Sequence, residues 1–218
     1  VSHQGTRLVP GMEPIRNITP QASTRKRQKT ELDLVEYFNK QHLKNRETDS
    51  NLKSRIRSFE TAAGMQLEAP EAFDLSRETD ETLKLYGLEP GQTDSFAWQC
   101  LVARRMAERG VRFIELVDGD TALDYNWDAH ANISKYPLLA RNVDQPIAAL
   151  IKDLKQRGML DETLVMVTTE FGRTPSREIF DGQMGRSDDG RDHNPHGFTM
   201  WMCGGGTKQG YHHGATDD

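Results

Sequence analysis

The chain of 218 residues has no apolar run approaching the roughly 18 consecutive residues that a membrane-spanning helix requires. Its opening, Val1-Ser2-His3-Gln4, is neither an initiator methionine nor a signal peptide, and sequence preceding Val1 is expected to be missing. Positive charge is not in excess either. The 28 basic and 33 acidic residues leave a net charge of −5, a balance that disfavours nucleic acid and anionic membrane surfaces as partners. Cysteine is scarce: Cys100 in a helical pattern and Cys203 in a strand pattern are too few for a disulfide scaffold, and they could equally be paired or free. Aromatic residues make up 7% and the apolar set 35%, a little below a typical globular domain. The length still suffices for a sizeable core in one large domain or two small ones. Internal repeats and low-complexity tracts are also lacking.

What is present begins as helix. Residues 1–22, with Pro10, Pro14, Pro20, Gly5 and Gly11, form an irregular lead-in. The basic run Arg25-Lys26-Arg27-Gln28-Lys29 reads as the solvated face of an amphipathic helix rather than a recognition patch. Leu32, Val35, Tyr37, Phe38 and Leu43 recur at helical spacing, and so do Leu52, Ile56, Phe59, Ala63 and Leu67, which predicts a helical hairpin broken near Glu47-Thr48-Asp49-Ser50. A short helix over 74–86 ends at Gly87, and residues 23–93 form a helical segment.

Residues 94–218 change character. A helix from Phe96 to Arg109, capped by Asp94 or Ser95, leads to the β-rich Val111–Val117; a second helix, Tyr136 to Arg157, leads to the apolar run Thr163–Thr169. That run predicts a strand buried on both faces. A last strand, Phe198–Cys203, precedes Gly204-Gly205-Gly206, which lacks a Walker or dinucleotide pattern and reads as a tight turn. The order helix, strand, helix, strand, loop, strand predicts an α/β fold with a mainly parallel sheet, whose ligands gather at loops after the strands.

Polar residues follow each strand: Asp118, Asp120 and Asp124, then Asp128 and His130; Glu170 and Arg173; Arg191, Asp192, His193 and His196; and His212 with His213. Of seven histidines, five lie beyond residue 128, the asymmetry a metal site produces. Carboxylates and imidazoles drawn from separate loops suit zinc, manganese or a similar divalent ion. Glu170, directly after an apolar strand, needs either a metal or a salt bridge to Arg173. Arg173 and Arg191 could hold a tetrahedral anion through forked hydrogen bonds, or serve as structural partners of Glu170, Asp181 or Asp192.

Together, Asn126-Trp127-Asp128-Ala129-His130, Arg157–Val165, Thr169-Glu170-Phe171-Gly172-Arg173-Thr174-Pro175, Gly190-Arg191-Asp192-His193 and Gly204–Asp217 resemble the bacterial domain of unknown function 1501 family. Its members are often labelled sulfatases and grouped with the alkaline phosphatase superfamily. The resemblance is strong over about 94–218 and loose before that. It implies a partial alkaline phosphatase-like sheet flanked by helices, preceded by a helical part. It further implies Asp128, His130, Glu170 and His193 as ligands of a divalent metal (zinc, manganese or calcium), with Arg173 or Arg191 near the transferred anion. The implied function is a segment of a periplasmic or secreted metal-dependent hydrolase of phosphate or sulfate esters, acting on a small-molecule or glycan ester. The superfamily commonly places a histidine after the acid where this chain has Phe171, which points to one metal rather than two. The nucleophile region has no counterpart before residue 94, the chain is expected to be truncated at both ends, and a sheet missing its first strands would favour self-association. The alternative is a non-catalytic cell-surface binding or structural protein on the same scaffold with a degenerate metal site.

Overall fold

The computed structural model describes residues 5–11, 13–19, 24–44, 46–119, 127–128, 133–169, 171–177 and 190–215. It is a mixed helical and β-structure that divides into two compact units, Val1–Glu78 and Thr79–Asp218.

The first unit is the expected helical hairpin. Helix α1 spans Arg25–Leu43, with the Thr24 hydroxyl accepting from the Arg27 amide; α2 spans Ser50–Phe73, with the Asp49 carboxylate accepting from the Leu52 amide. Both caps satisfy amides that have no intrahelical carbonyl. The Arg25–Lys29 run lies in α1, where Lys26, Arg27 and Lys29 face solvent and Arg27 pairs with Glu31. Gln28 on the same turn is buried, and its Nε2 donates to Gln66 Oε1 at 3.1 Å; Gln66 Nε2 in turn donates to the Asn17 carbonyl at 2.7 Å. These amide bonds tie the lead-in, with its buried Ile18, to the hairpin. A 3-10 turn, Leu75–Arg77, follows where a continuous helix was expected from Asp74.

The core of the second unit is three helices: α3 (Asp80–Tyr86), α4 (Phe96–Glu108) and α5 (Tyr136–Gln156). Gly87 ends α3 in the left-handed conformation, with its amide donating back to Leu83 and Lys84. Ser95, one of the two expected caps, accepts from the Trp98 amide. Ala97, Trp98, Cys100, Leu101, Val102 and Ala103 are all buried, so α4 is covered nearly all round. Charges complete this core. Arg104 on α4, with a side chain 2% exposed, ion-pairs through Nε with Asp153 Oδ2 on α5 at 2.9 Å. The Tyr86 hydroxyl of α3 donates to the same oxygen at 3.1 Å, and Arg157 Nε donates to Asp153 Oδ1 at 2.6 Å. Glu108 closes the network, accepting from Arg104 at 2.8 Å and from Arg157 at 2.9 Å. Burial, reinforced by the neighbouring Asp153 charge, raises the Tyr86 pKa, so the phenol stays a neutral donor.

The strands differ from expectation in four ways. Strand β1 (Val165–Thr168) pairs with β4 (Met200–Cys203), and β2 (Gly172–Arg177) with β3 (Arg191–Asn194); both ladders are antiparallel, where the element order predicted a mainly parallel sheet. Residues expected as loops after the second strand thus form β2 and β3. The β1 run, expected to be buried on both faces, is exposed, with Met166 at 48% and Trp201 on its partner strand at 47%. A two-stranded ribbon buries a face only where another layer lies on it, and none covers β1 and β4 among the described residues. Val111–Val117, expected as a strand, is in no ladder among the described residues, and Phe113 is 84% exposed. The triple glycine is the tight turn expected. Gly204 has a φ of +75°, and a Cβ there would come within 2.3 Å of the Thr163 carbonyl oxygen, so only glycine lets this turn close on the chain before β1.

Removing one partner from the buried network strands a charge in the core. Asp153→Ala should therefore cost about 3–5 kcal/mol in denaturant unfolding, and a loss below about 1 kcal/mol would show that the pair with Glu108 suffices for Arg104. Both cysteines are free, and burial pushes the Cys100 thiol up to about 12, with the Asp118 charge adding to it. Burial also raises the half-covered Cys203 thiol. Because the thiolate is the reactive form, a thiol reagent at pH 8 is expected to label Cys203 first and to reach Cys100 only after unfolding, as peptide mapping will register.

Candidate functional site

Asp128, Arg173 and His193, distant in sequence, meet at one point. Register brings two of them together: Arg173 on β2 is paired directly with His193 on β3, and Gly172 with Asn194. The pairing depends on Gly172, whose amide donates to the Gly197 carbonyl at 2.5 Å and where a Cβ would lie 2.2 Å from that oxygen. Any larger residue would push β2 off the Asn194–Gly197 turn and carry Arg173 away from His193. The register then shifts between Arg173 and Arg177, a stretch containing Pro175, which has no amide to contribute to a ladder.

Asp128 is set by the residue before it. Trp127 Nε1 donates to Asp118 Oδ2 at 2.7 Å, and the Tyr136 hydroxyl at the start of α5 donates to the Trp127 carbonyl at 3.0 Å. The two rings also pack at 5.8 Å between centroids. Asp118, grouped by sequence with the possible metal-binding carboxylates, thus fixes an indole. Sequence reasoning missed the positioning roles of Trp127 and Tyr136; the aromatic residue before Asp128 and the one opening α5 were the available signal.

At the meeting point, Asp128 Oδ1 accepts from Arg173 Nη2 at 2.6 Å and lies 3.3 Å from His193 Nε2. A protonated Nε2 donates across that distance, whereas an unprotonated Nε2 and the carboxylate oxygen offer two lone pairs to one cation. The other terminal guanidinium nitrogen, Arg173 Nη1, donates to the Arg191 carbonyl at 3.0 Å, so the fork is held by β3 at one end and by Asp128 at the other. Among the described residues, the carboxylate that Arg173 holds is Asp128; its expected pairing with Glu170 falls outside them. Arg191 Nη1 donates to the Gly190 carbonyl at 3.0 Å. Phe171, in the position where the resemblance implies a histidine, packs edge-on against the His193 ring at 4.6 Å. It orients an imidazole but supplies no donor. The Asp192 carboxylate accepts from the His193 amide at 2.7 Å, locking the backbone beneath that imidazole.

The structure thus brings Asp128 and His193 together and sets Arg173 and, through its carbonyl, Arg191 beside them. His130 and Glu170 lie outside the described residues. The oxygen and imidazole donors of Asp128 and His193 have the chemistry of a divalent-metal site. Among the described residues, no third His, Cys, Asp or Glu joins them in such a group. His196, His212 and His213 are exposed.

The family model for proteins of unknown function designated DUF1501 matches residues 1–218. The chain belongs to the DUF1501 family. No curated protein and no solved structure matches it. The match extends over the helical N-terminal unit as well as the β-bearing unit, so both are parts of the DUF1501 pattern.

The Asp128 side chain is 50% exposed and that of Arg173 21%, so solvent screens their pair and its worth to the fold is small. Asp128→Ala should shift unfolding stability by less than about 1 kcal/mol, measured by urea titration, while abolishing any ligand binding that uses this carboxylate. A larger loss would make Asp128 a structural residue.

Proposed function

We propose that this DUF1501 chain is a segment of a metal-dependent hydrolase of phosphate or sulfate esters, with an alkaline phosphatase-like, sulfatase-like site. The observation carrying this reading is the convergence of Asp128 and His193, 65 positions apart, with the Arg173 guanidinium beside them. A carboxylate, an imidazole and an arginine in one place are the elements such chemistry needs: donors for a cation and a positive group for an oxyanion. Asp128, His130, Glu170 and His193 would hold a divalent ion, zinc, manganese or calcium, and a bound ion there supplies Lewis acidity toward the ester oxygen. Arg173 and Arg191 would face the transferred group. The substrate is a small-molecule or glycan ester, and the place of action is the periplasm or the cell exterior, both following from the family resemblance. No helix among the described residues is long and apolar enough to cross a membrane.

Phe171 favours a second reading, a non-catalytic binding or structural protein at the cell surface. Its ring stands against His193 where a further donor would complete a larger centre.

Elemental analysis of the purified protein decides between them. Stoichiometric zinc, manganese or calcium, lost in the His130→Ala/His193→Ala double variant, is the expected result, and hydrolysis of chromogenic phosphate or sulfate monoesters is then to be sought in the full-length protein. Metal content unchanged in the double variant would overturn the assignment of the ligands. Well-folded protein without specific metal would move the reading to the binding scaffold.

A further inference from the structure

The helical unit buries little of its apolar content. Among its described residues the buried nonpolar side chains are Pro14, Ile18, Ile56 and Ala72, whereas Leu34, Val35, Tyr37, Phe38 and Phe59 are each more than half exposed, Phe59 at 64%. These five are not scattered. Leu34 and Phe38 stand one turn apart on α1 with Val35 beside them, and Tyr37 packs edge-on against Phe38 at 5.6 Å between centroids. Phe59 joins them through the register of the hairpin. The Gln28–Gln66 bond fixes one level of the antiparallel pair, and Val35, seven residues after Gln28, comes level with Phe59, seven residues before Gln66. Gln28 and Ile56 are buried on either side of that level. Between them the seam of the hairpin stands open.

Area and charge identify the occupant. Three aromatic rings and two aliphatic side chains at this exposure present roughly 500 Å² of apolar surface, the nonpolar share of one side of a standard interface of about 800 Å² per partner. The charges flanking the α1 stripe are already neutralised within the chain: Arg27 pairs with Glu31 at 3.0 Å, and Lys40 with Glu36. Such a face carries no field to select a charged partner of either sign, and two copies of it meet without like-charge repulsion. We infer that a second copy of this chain covers the face, the two hairpins closing a four-helix bundle about a two-fold axis. One patch then serves both sides, and the aromatic stripe of each copy fills the open seam of the other. The inference concerns the helical unit and is independent of the metal-centre reading above.

The test is sedimentation velocity of the purified chain over a concentration series spanning the micromolar range. The wild-type chain should show a monomer–dimer equilibrium. Phe38→Glu/Phe59→Glu should weaken the dimer by at least about thirtyfold with the circular dichroism unchanged, since both rings are exposed in the single chain. Phe38→Leu/Phe59→Leu, which keeps the face apolar, should retain most of the association. A wild-type chain that stays monomeric throughout would overturn the inference, and so would a dimer that the glutamate variant leaves intact. The exposed β1–β4 ribbon is the competing surface. Met166→Lys/Trp201→Lys should leave the dimer unchanged, and association lost in that variant would place the contact on the ribbon and overturn the inference. Should the glutamate variant lose helicity, hydrogen exchange of the wild-type chain decides. The amides of α1 and α2 should gain protection as concentration rises, and exchange there that is independent of concentration would remove the inference.

Discussion

A single buried carboxylate ties together the three helices of the second unit. Asp153 receives Arg104 from α4, the Tyr86 hydroxyl from α3 and Arg157 from the end of its own helix, and it is nearly without solvent. Three helices that meet through apolar side chains alone can slide against one another, because dispersion and hydrophobic contact carry little directional preference. A charge that must be neutralised and hydrogen-bonded at fixed distances admits one arrangement. Breaking any arm leaves desolvated charge behind, so the helices are committed to one register by the cost of every other. A second 3-10 turn, Leu160–Glu162, leads into β1; it and the Gly204 turn closing on it follow α5 in sequence.

The candidate site is built in the opposite way. Its carboxylate is half exposed and its ion pair is screened, so the pair contributes little to stability. What the fold supplies is position: a ladder register that sets Arg173 opposite His193, a glycine that permits the close approach, and an indole fixed by Asp118 that aims the next residue. Asp128 Oδ1, shared between a guanidinium and an imidazole, is held in place by partners from two strands without carrying the fold.

Much of the helical part was legible from the chain itself. The break at Asp49, the Ser95 cap and the Gly87 stop are local events, decided by a side-chain oxygen reaching an amide three residues on or by a residue that tolerates positive φ. The buried polar groups were not legible. Gln28, Arg104 and Asp153 look in sequence like surface residues, because the partners that make their burial tolerable lie on other elements. The strands were misread for a related reason. Val165–Thr168 has the composition of a strand buried on both faces, but composition reports what a segment tolerates, and its neighbours report what it has. The direction of pairing is likewise a long-range choice: the alternation of helix and strand suggested parallel neighbours, while β1 took β4 as an antiparallel partner.

By itself, the sequence determined most of the helices, the Ser95 cap and the Gly87 stop, the turn at Gly204-Gly205-Gly206, the absence of an excess of positive charge, and a shortlist of chemically capable side chains. These depend on interactions within a few residues or on composition, and the chain carries both regardless of how it folds. Only the tertiary structure decided which members of the shortlist meet. It set Asp128 beside His193 and gave Arg173 to Asp128, turned Asp118 to an indole, and laid Phe171 on the imidazole. Contacts between residues tens of positions apart are selected by register and packing, and these exist only once the chain has closed on itself.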